Sequence, residues 1–347
     1  MSLWGVIPVI LFVMFICMNL RNQNNNLYEI IFMLRVKTLR LSNSSTLLCT
    51  AAMLLTCTHI HATENNGTAY PLGLDTVLAG RMPPPGLTTF FYSSAYESTE
   101  LKGAYGRSMA GIEDFNLSYQ SLAVCLDYVY SDYTLWGATL ASRAALPYIK
   151  GQVSFYTETP QGRVRNSGKD EGFADLAFTP LFLGWSSPRF HQMLGVDFYA
   201  PTASYDKDRL FNVGTNVWSY SPWYSFTANP IDEVELSAKI LYMINDKNRA
   251  TDYRSGREFN ADYHLGYSLN KNWQVGISGY LYKQVSDDER HGESVWEDGN
   301  RGQVVAYGPV VKYQTPEFGV LMKWQHETLV ENRARGERLW LQAVMRF

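Results

Sequence analysis

The side chains capable of chemistry in this chain are poorly arranged for covalent work. Of six histidines, His59 and His61 fall early and His191, His264, His291 and His326 are scattered. His326-Glu327 begins a zinc-protease pattern but lacks the second histidine, and neither a phosphate-binding loop nor a G-x-S-x-G elbow is present. A nucleophile would have to be Cys125 with His264 or His326, and no motif joins them. Cys125 lies in a strand-like run and reads as a small packed side chain. Asp206-Lys207-Asp208 and Asp287-Asp288-Glu289 could gather calcium or the cations that bridge lipopolysaccharide. They lack the ligand spacing of a calcium loop and read as solvated loop faces. No metal and no cofactor is implied.

A different chemistry does recur. Ionisable and hydrogen-bonding residues stand at alternate positions of apolar runs: Glu235 and Lys239; Asp262 and His264; Tyr280 and Tyr282; Lys323, Gln325 and Glu327; Arg338 and Arg346. Asp175 belongs to a further such run. Side chains alternate across a strand, so each run presents one polar and one apolar face. If the polar faces meet in a lumen, opposed charges there set a field and select solutes by charge and hydrogen bonding. The same residues could equally pair across the lumen and fill it. Tyr280 and Tyr282 would suit an aromatic solute or serve as space-fillers.

The elements that must position these residues are strands. Phe259, Ala261, Tyr263, Leu265, Tyr267 and Leu269 oppose Asn260, Asp262, His264, Gly266 and Ser268. Segments 234–244, 273–282 and 318–327 alternate in the same way. Links between segments alternate in length. Polar stretches 202–213, 245–257 and 286–300 separate the short links 229–232, 270–271 and 315–317. Long outer loops and tight inner turns are the habit of outer-membrane barrels. Extended backwards, the scheme predicts strands near 86–97, 117–130, 136–157, 171–184, 191–201 and 213–228, the third overlong and of unclear register. The last strand, 337–347, ends on Phe347 with Leu339, Leu341, Ala343 and Met345 on one face and Arg338 and Arg346 on the other. The expectation is an all-β transmembrane antiparallel up-and-down β-barrel of about twelve strands over 86–347, closed by pairing of the last strand with the first. The 23 Tyr and 9 Trp suit its membrane–water boundaries.

The N-terminus reads as targeting. Leu3–Cys17 is apolar but shorter than a spanning helix, and a second start-like pattern begins at Met33. Arg35, Lys37 and Arg40 form a basic region, 46–56 an apolar one, and Ile60-His61-Ala62 a cleavage site. We expect 1–32 to be a mis-assigned extension, although Leu3–Cys17 could be a membrane anchor. We expect 33–62 to be a cleaved signal peptide and 63–85 a periplasmic segment that gates or narrows the barrel mouth. Only Cys125 of four cysteines follows residue 62, so the exported chain forms no internal disulfide. Residues 63–347 carry a net charge of about −6, and no basic patch suits nucleic acid.

Several stretches resemble the outer-membrane transporter family named for the meta-pathway of phenol degradation. They are Ala79-Gly80-Arg81-Met82-Pro83-Pro84-Pro85-Gly86, Phe173-Ala174-Asp175-Leu176-Ala177-Phe178-Thr179-Pro180 followed by Leu183-Gly184-Trp185, Tyr199-Ala200-Pro201-Thr202, Asn216-Val217-Trp218, Tyr253-Arg254-Ser255-Gly256, 279–284 and Gly308-Pro309. The likeness covers 70–347 and carries no catalytic residue. It implies a passive uptake channel in the bacterial outer membrane for small hydrophobic or aromatic compounds linked to their catabolism. The implied partners are outer-membrane lipid, lipopolysaccharide and the barrel-assembly machinery, which would read Phe347. Two alternatives stay open: a barrel enzyme acting on lipid, and a structural or adhesive barrel.

Overall fold

The computed structural model describes residues 67–346, and these fall in one compact unit. The expectations for 1–32, 33–62, 63–66, Phe347 and the side chain of Arg346 lie outside the described residues.

Sixteen strands follow in chain order. They are β1 Gly86–Lys102, β2 Glu113–Leu135, β3 Ala138–Thr159, β4 Gly162–Phe173, β5 Leu176–Ser186, β6 Phe190–Ala200, β7 Ser219–Ala228 and β8 Val234–Asn245. Then come β9 Tyr253–Arg254, β10 Glu258–Ser268, β11 Trp273–Gln284, β12 Glu289–Arg290, β13 Glu293–Ser294, β14 Gln303–Gln314, β15 Phe318–Glu331 and β16 Arg333–Arg346. β9, β12 and β13 form a small sheet of their own within the long loops. The rest close an antiparallel barrel, because β1 pairs with β2 on one side and with β16 on the other, from Thr88↔Arg346 to Lys102↔Arg333. β4 and β5 together make one stave, so the barrel has twelve.

That shared stave explains the overlong third strand. The lower half of β3 pairs with β5 (Thr139↔Gly184) and its upper half with β4 (Tyr148↔Phe173). The expected strand at 171–184 is therefore interrupted at Ala174-Asp175, and Ala174 N–H donates to the Pro147 carbonyl at 2.8 Å. The expected strand at 213–228 begins only at Ser219. Residues 213–215 stay in the loop because Asp170 and Asp175 take their backbone N–H groups: Val213 N to Asp170 Oδ2 at 3.1 Å and Thr215 N to Asp175 Oδ2 at 2.8 Å. At the last hairpin β15 and β16 extend to a single linking residue, Asn332, in place of a longer loop.

The alternation sorts as expected. Leu265, Tyr267, Leu269, Ile277, Met322, Leu339 and Leu341 are exposed on the outside, while Glu235, Lys239, Asp262, His264, Lys323, Gln325, Glu327 and Arg338 are buried within. So continuous an apolar exterior is stable only against lipid. Rings mark its two edges: Trp273, Tyr313 and Phe318 below, with centroids 4.8 and 6.0 Å apart, and Tyr148 with Phe173 above at 5.5 Å.

Candidate functional site

A barrel of twelve staves leaves more room than wall side chains fill in smaller barrels. Here that room is occupied by residues 67–85, which run along the lumen before entering β1. Gly67 lines clefts with Glu258, at the loop end of β10. Tyr70–Asp75 meets the middle of β10, β15 and β16. Leu78 and Gly80 meet the turn ends of β8 and β7.

The segment has no ladder of its own, so its polar groups must be satisfied by the wall. Asp262 accepts three of them: Tyr70 Oη at 2.6 Å, Gly73 N at 2.9 Å and Asp75 N at 2.9 Å. Glu235 accepts Leu78 N at 2.7 Å, and Thr227 Oγ1 accepts Gly80 N at 3.0 Å. Lys323 Nζ donates to the Leu74 carbonyl at 2.8 Å and to Thr76 Oγ1 at 3.0 Å. Gln325 Nε2 reaches the Gly73 carbonyl at 3.5 Å, Arg338 the Leu72 carbonyl at 3.1 Å, and Gln342 the Leu74 carbonyl at 2.9 Å. The central ion pair is Asp75 with Lys239 at 2.8 Å. Lys239 also meets Asp197 at 3.3 Å, and Arg143 approaches Asp75 at 3.8 Å while clasping Asp127. Buried charges are tolerated only when paired and hydrogen-bonded, and this network pairs them across chain and wall.

Glycine is required at two points, by close backbone approach at Gly80 and by a left-handed backbone at Gly73. A Cβ on Gly80 would fall 2.4 Å from the Phe226 backbone. Gly73 has φ +76°, and a Cβ there would fall 2.3 Å from Gln325 Oε1. Apolar contact completes the seat: Tyr70 and Leu72 belong to the buried cluster of Phe182, Trp223, Leu241 and Tyr280.

The structure brings Glu235, Lys239, Asp262, Lys323, Gln325 and Arg338 together around the segment. His264 lies beside Glu235 at 4.0 Å and Gln274 at 3.3 Å. Glu327 is taken by the wall itself, accepting from Tyr280 at 2.6 Å, Tyr96 at 2.8 Å and Gly336 N at 2.7 Å. Tyr282 is buried under the Arg333 guanidinium, 4.4 Å from its ring centroid. Asp175 bonds a loop and not the segment. It stands at the β4–β5 break, and its carboxylate holds the 201–218 loop through Ala203 N and Thr215. Sequence reasoning missed Tyr70, Asp75, Arg143, Asp127 and Asp197. Asp197 carried a signal, as a lone carboxylate inside an apolar strand.

The residues weighed for catalysis stay apart. Cys125 is buried with Sγ 3.6 Å from Asp127, His264 is on β10, and His326 faces outward against Glu337 at 3.2 Å. In the acidic stretches, Asp206 Oδ1 caps Asp208 N at 3.0 Å and Asp287 binds Arg301 at 2.6 Å. Asp288 is buried and accepts from Tyr253 Oη, Gly256 N, Gln284 and Asn300. Burial pushes its pKa up against those donors. It ties the loops that carry β9 and β12 to the top of the barrel.

An outer membrane channel from Pseudomonas putida F1 shares the fold at TM-score 0.64 and 18% identity, over 77% of this chain and 98% of that one. The transport unit of the autotransporter AIDA-I from Escherichia coli aligns at TM-score 0.43 and 7% identity, over 76% of this chain and 91% of that one. No curated protein matches the sequence. A family profile described as "Putative MetA-pathway of phenol degradation" matches residues 104–343, and the chain belongs to that family.

Proposed function

We propose that the chain is a non-enzymatic outer-membrane channel for passive uptake of small hydrophobic or aromatic compounds, closed in this conformation by residues 67–85. The observation that carries this reading is the occupant of the lumen. The wall does not fill its own interior: residues 67–85 take up its middle and turn end through polar and apolar contacts, and Leu210 and Phe211 of the 201–218 loop pack on the inward face of β3 and β4. A protein needing only a rigid barrel has no use for a removable filling. The family description, which names phenol degradation, supports an aromatic solute. Export through the signal peptide ending at Ala62, contact with lipopolysaccharide at the upper rim, and insertion by assembly machinery that reads the Phe347 end belong to the same proposal.

Growth of a deletion strain on a panel of carbon sources tests the function. Slower growth at low concentrations of aromatic acids or phenols, with unchanged growth on succinate, is the expected result. Equal growth on every aromatic source, with no other such barrel expressed, removes the uptake role.

A further inference from the structure

Residues 67–85 cross the barrel from one end to the other. Gly67 is exposed at the loop end, beside Tyr253, Ser255 and Glu258. Thr68 and Ala69 are half-buried, and Tyr70 is 2% exposed. Ala79 and Gly80 are the last buried residues before the chain returns to solvent at Arg81, Pro84 and Pro85, beneath the wall. Gly86 then opens β1 at the turn end. The free side of the segment therefore lies across the membrane from its fixed side, among the long loops, which face outward in such barrels.

The grip on the segment is uneven. At the outer end Thr68 meets Glu258. Further in, Tyr70, Gly73 and Asp75 share Asp262, Asp75 pairs with Lys239, and Lys323 and Arg338 hold the carbonyls of Leu74 and Leu72. At the inner end Leu78 is held by Glu235, and Gly80 lies against the Phe226 backbone. The outer end has the fewest buried contacts and is the first to fray.

The tether decides how such a chain can leave. Held at Gly86 below the wall, it cannot vacate the lumen upward, because any upward path still runs through the barrel. It leaves only downward, its outer end travelling the length of the lumen. Gly86 has φ +100° and nothing within 4 Å of where a Cβ would stand, so it is a free pivot for that swing.

We propose that the amino-terminal end of the exported chain is displayed at the cell surface, and that the channel opens by drawing this end inward through the lumen. A bulky group fixed to the outer end then locks the channel shut. The proposal rests on the channel reading and on cleavage after Ala62, since withdrawal needs a slender free end.

A molecular stopper tests it. Asn65→Cys puts a thiol two residues before Gly67, and the buried Cys125 does not compete for label. Ala110→Cys, exposed in the loop between β1 and β2, is the control. Both are labelled with membrane-impermeant biotin-maleimide on intact cells, and the full-length barrels, with and without Lys239→Met, are recorded in planar bilayers. Streptavidin, far wider than a lumen of twelve staves, is added on one side at a time. The thiol at position 65 should label on intact cells. Streptavidin on the loop side should abolish openings through position 65 and leave barrels tagged at 110 unchanged. Streptavidin on the turn side should catch the withdrawn end and hold the channel open, which mere covering of the outer mouth could not do. Labelling at 65 only after the outer membrane is permeabilised overturns the threading. Openings unchanged by loop-side streptavidin at 65 overturn withdrawal. A barrel lacking 63–82 that conducts while both full-length forms stay silent also overturns withdrawal and leaves the passage. Silence of all three removes the channel reading itself.

Discussion

Removing residues 63–82 is expected to convert a nearly silent barrel into one with a steady conductance higher by an order of magnitude or more in planar bilayers. The expectation follows from what the segment occupies. Tyr70 and Leu72 fill the centre of the lumen, and Leu72–Gly80 is bonded to β7, β8, β10, β15 and β16. Without it the wall leaves a water-filled passage, since side chains alone fill barrels of about eight staves but not twelve. The barrel itself should still form, because all twelve staves and the β1–β16 closure lie beyond residue 85. Heat-modifiable migration should therefore persist. A truncated barrel that is folded yet still silent would mean that the wall and the 201–218 loop close the lumen without the segment.

Lys239→Met is expected to release the same segment without shortening the chain. Lys239 is 3% exposed, joined to Asp75 at 2.8 Å and Asp197 at 3.3 Å, and stands over the rings of Trp223 at 4.8 Å and Tyr70 at 5.1 Å. Methionine keeps the stem but leaves two largely buried carboxylates facing each other, with Arg143, already engaged by Asp127, and Lys323, already engaged by Leu74 and Thr76, as remaining cations near Asp75. Breaking a buried pair by deleting one partner costs about 3–5 kcal/mol. The cheapest relief is for Asp75 to move into water, carrying the segment with it. Single-channel records should show long open periods rare in the wild type. Adding Asp75→Asn should restore closure in part, because it removes the charge that drives expulsion. Wild-type closure in Lys239→Met would show that the ion pair does not hold the segment.

The barrel was legible because each stave is a local pattern. The alternation in 259–269 and 273–282 predicts the inward faces of β10 and β11, and the Leu339–Met345 face predicts the outward face of β16. Register follows, since a one-residue slip would turn Asp262 or Arg338 to lipid. Where the pattern was interrupted from outside, the sequence was opaque. The β4–β5 break depends on Asp175 capturing a loop 40 residues ahead, and the start of β7 on Asp170 doing the same to Val213. The site was half legible. The wall residues Glu235, Lys239, Asp262, Lys323 and Arg338 announce themselves by period two. Their occupant does not, for 67–85 has no periodicity, and its partners are 187 residues away for Asp75 with Asp262 and 164 for Asp75 with Lys239. A segment stabilised wholly by distant strands leaves no local trace beyond its prolines and glycines. The expectation that it gates or narrows one mouth becomes the proposal that it closes the lumen along its length.

Closure is expected to come from the specific fit of this segment to the charged wall. The most direct measurement adds the segment back. Barrels lacking 63–82, held open in a planar bilayer, are exposed on the side of the short turns to a synthetic peptide spanning 67–82. The same is done with a peptide in which Asp75 is replaced by Lys. The native peptide should close the conductance reversibly at micromolar concentration. The Asp75→Lys peptide, which sets a second cation against Lys239, should be weaker by at least two orders of magnitude. Equal block by both peptides, or by neither, would contradict the account.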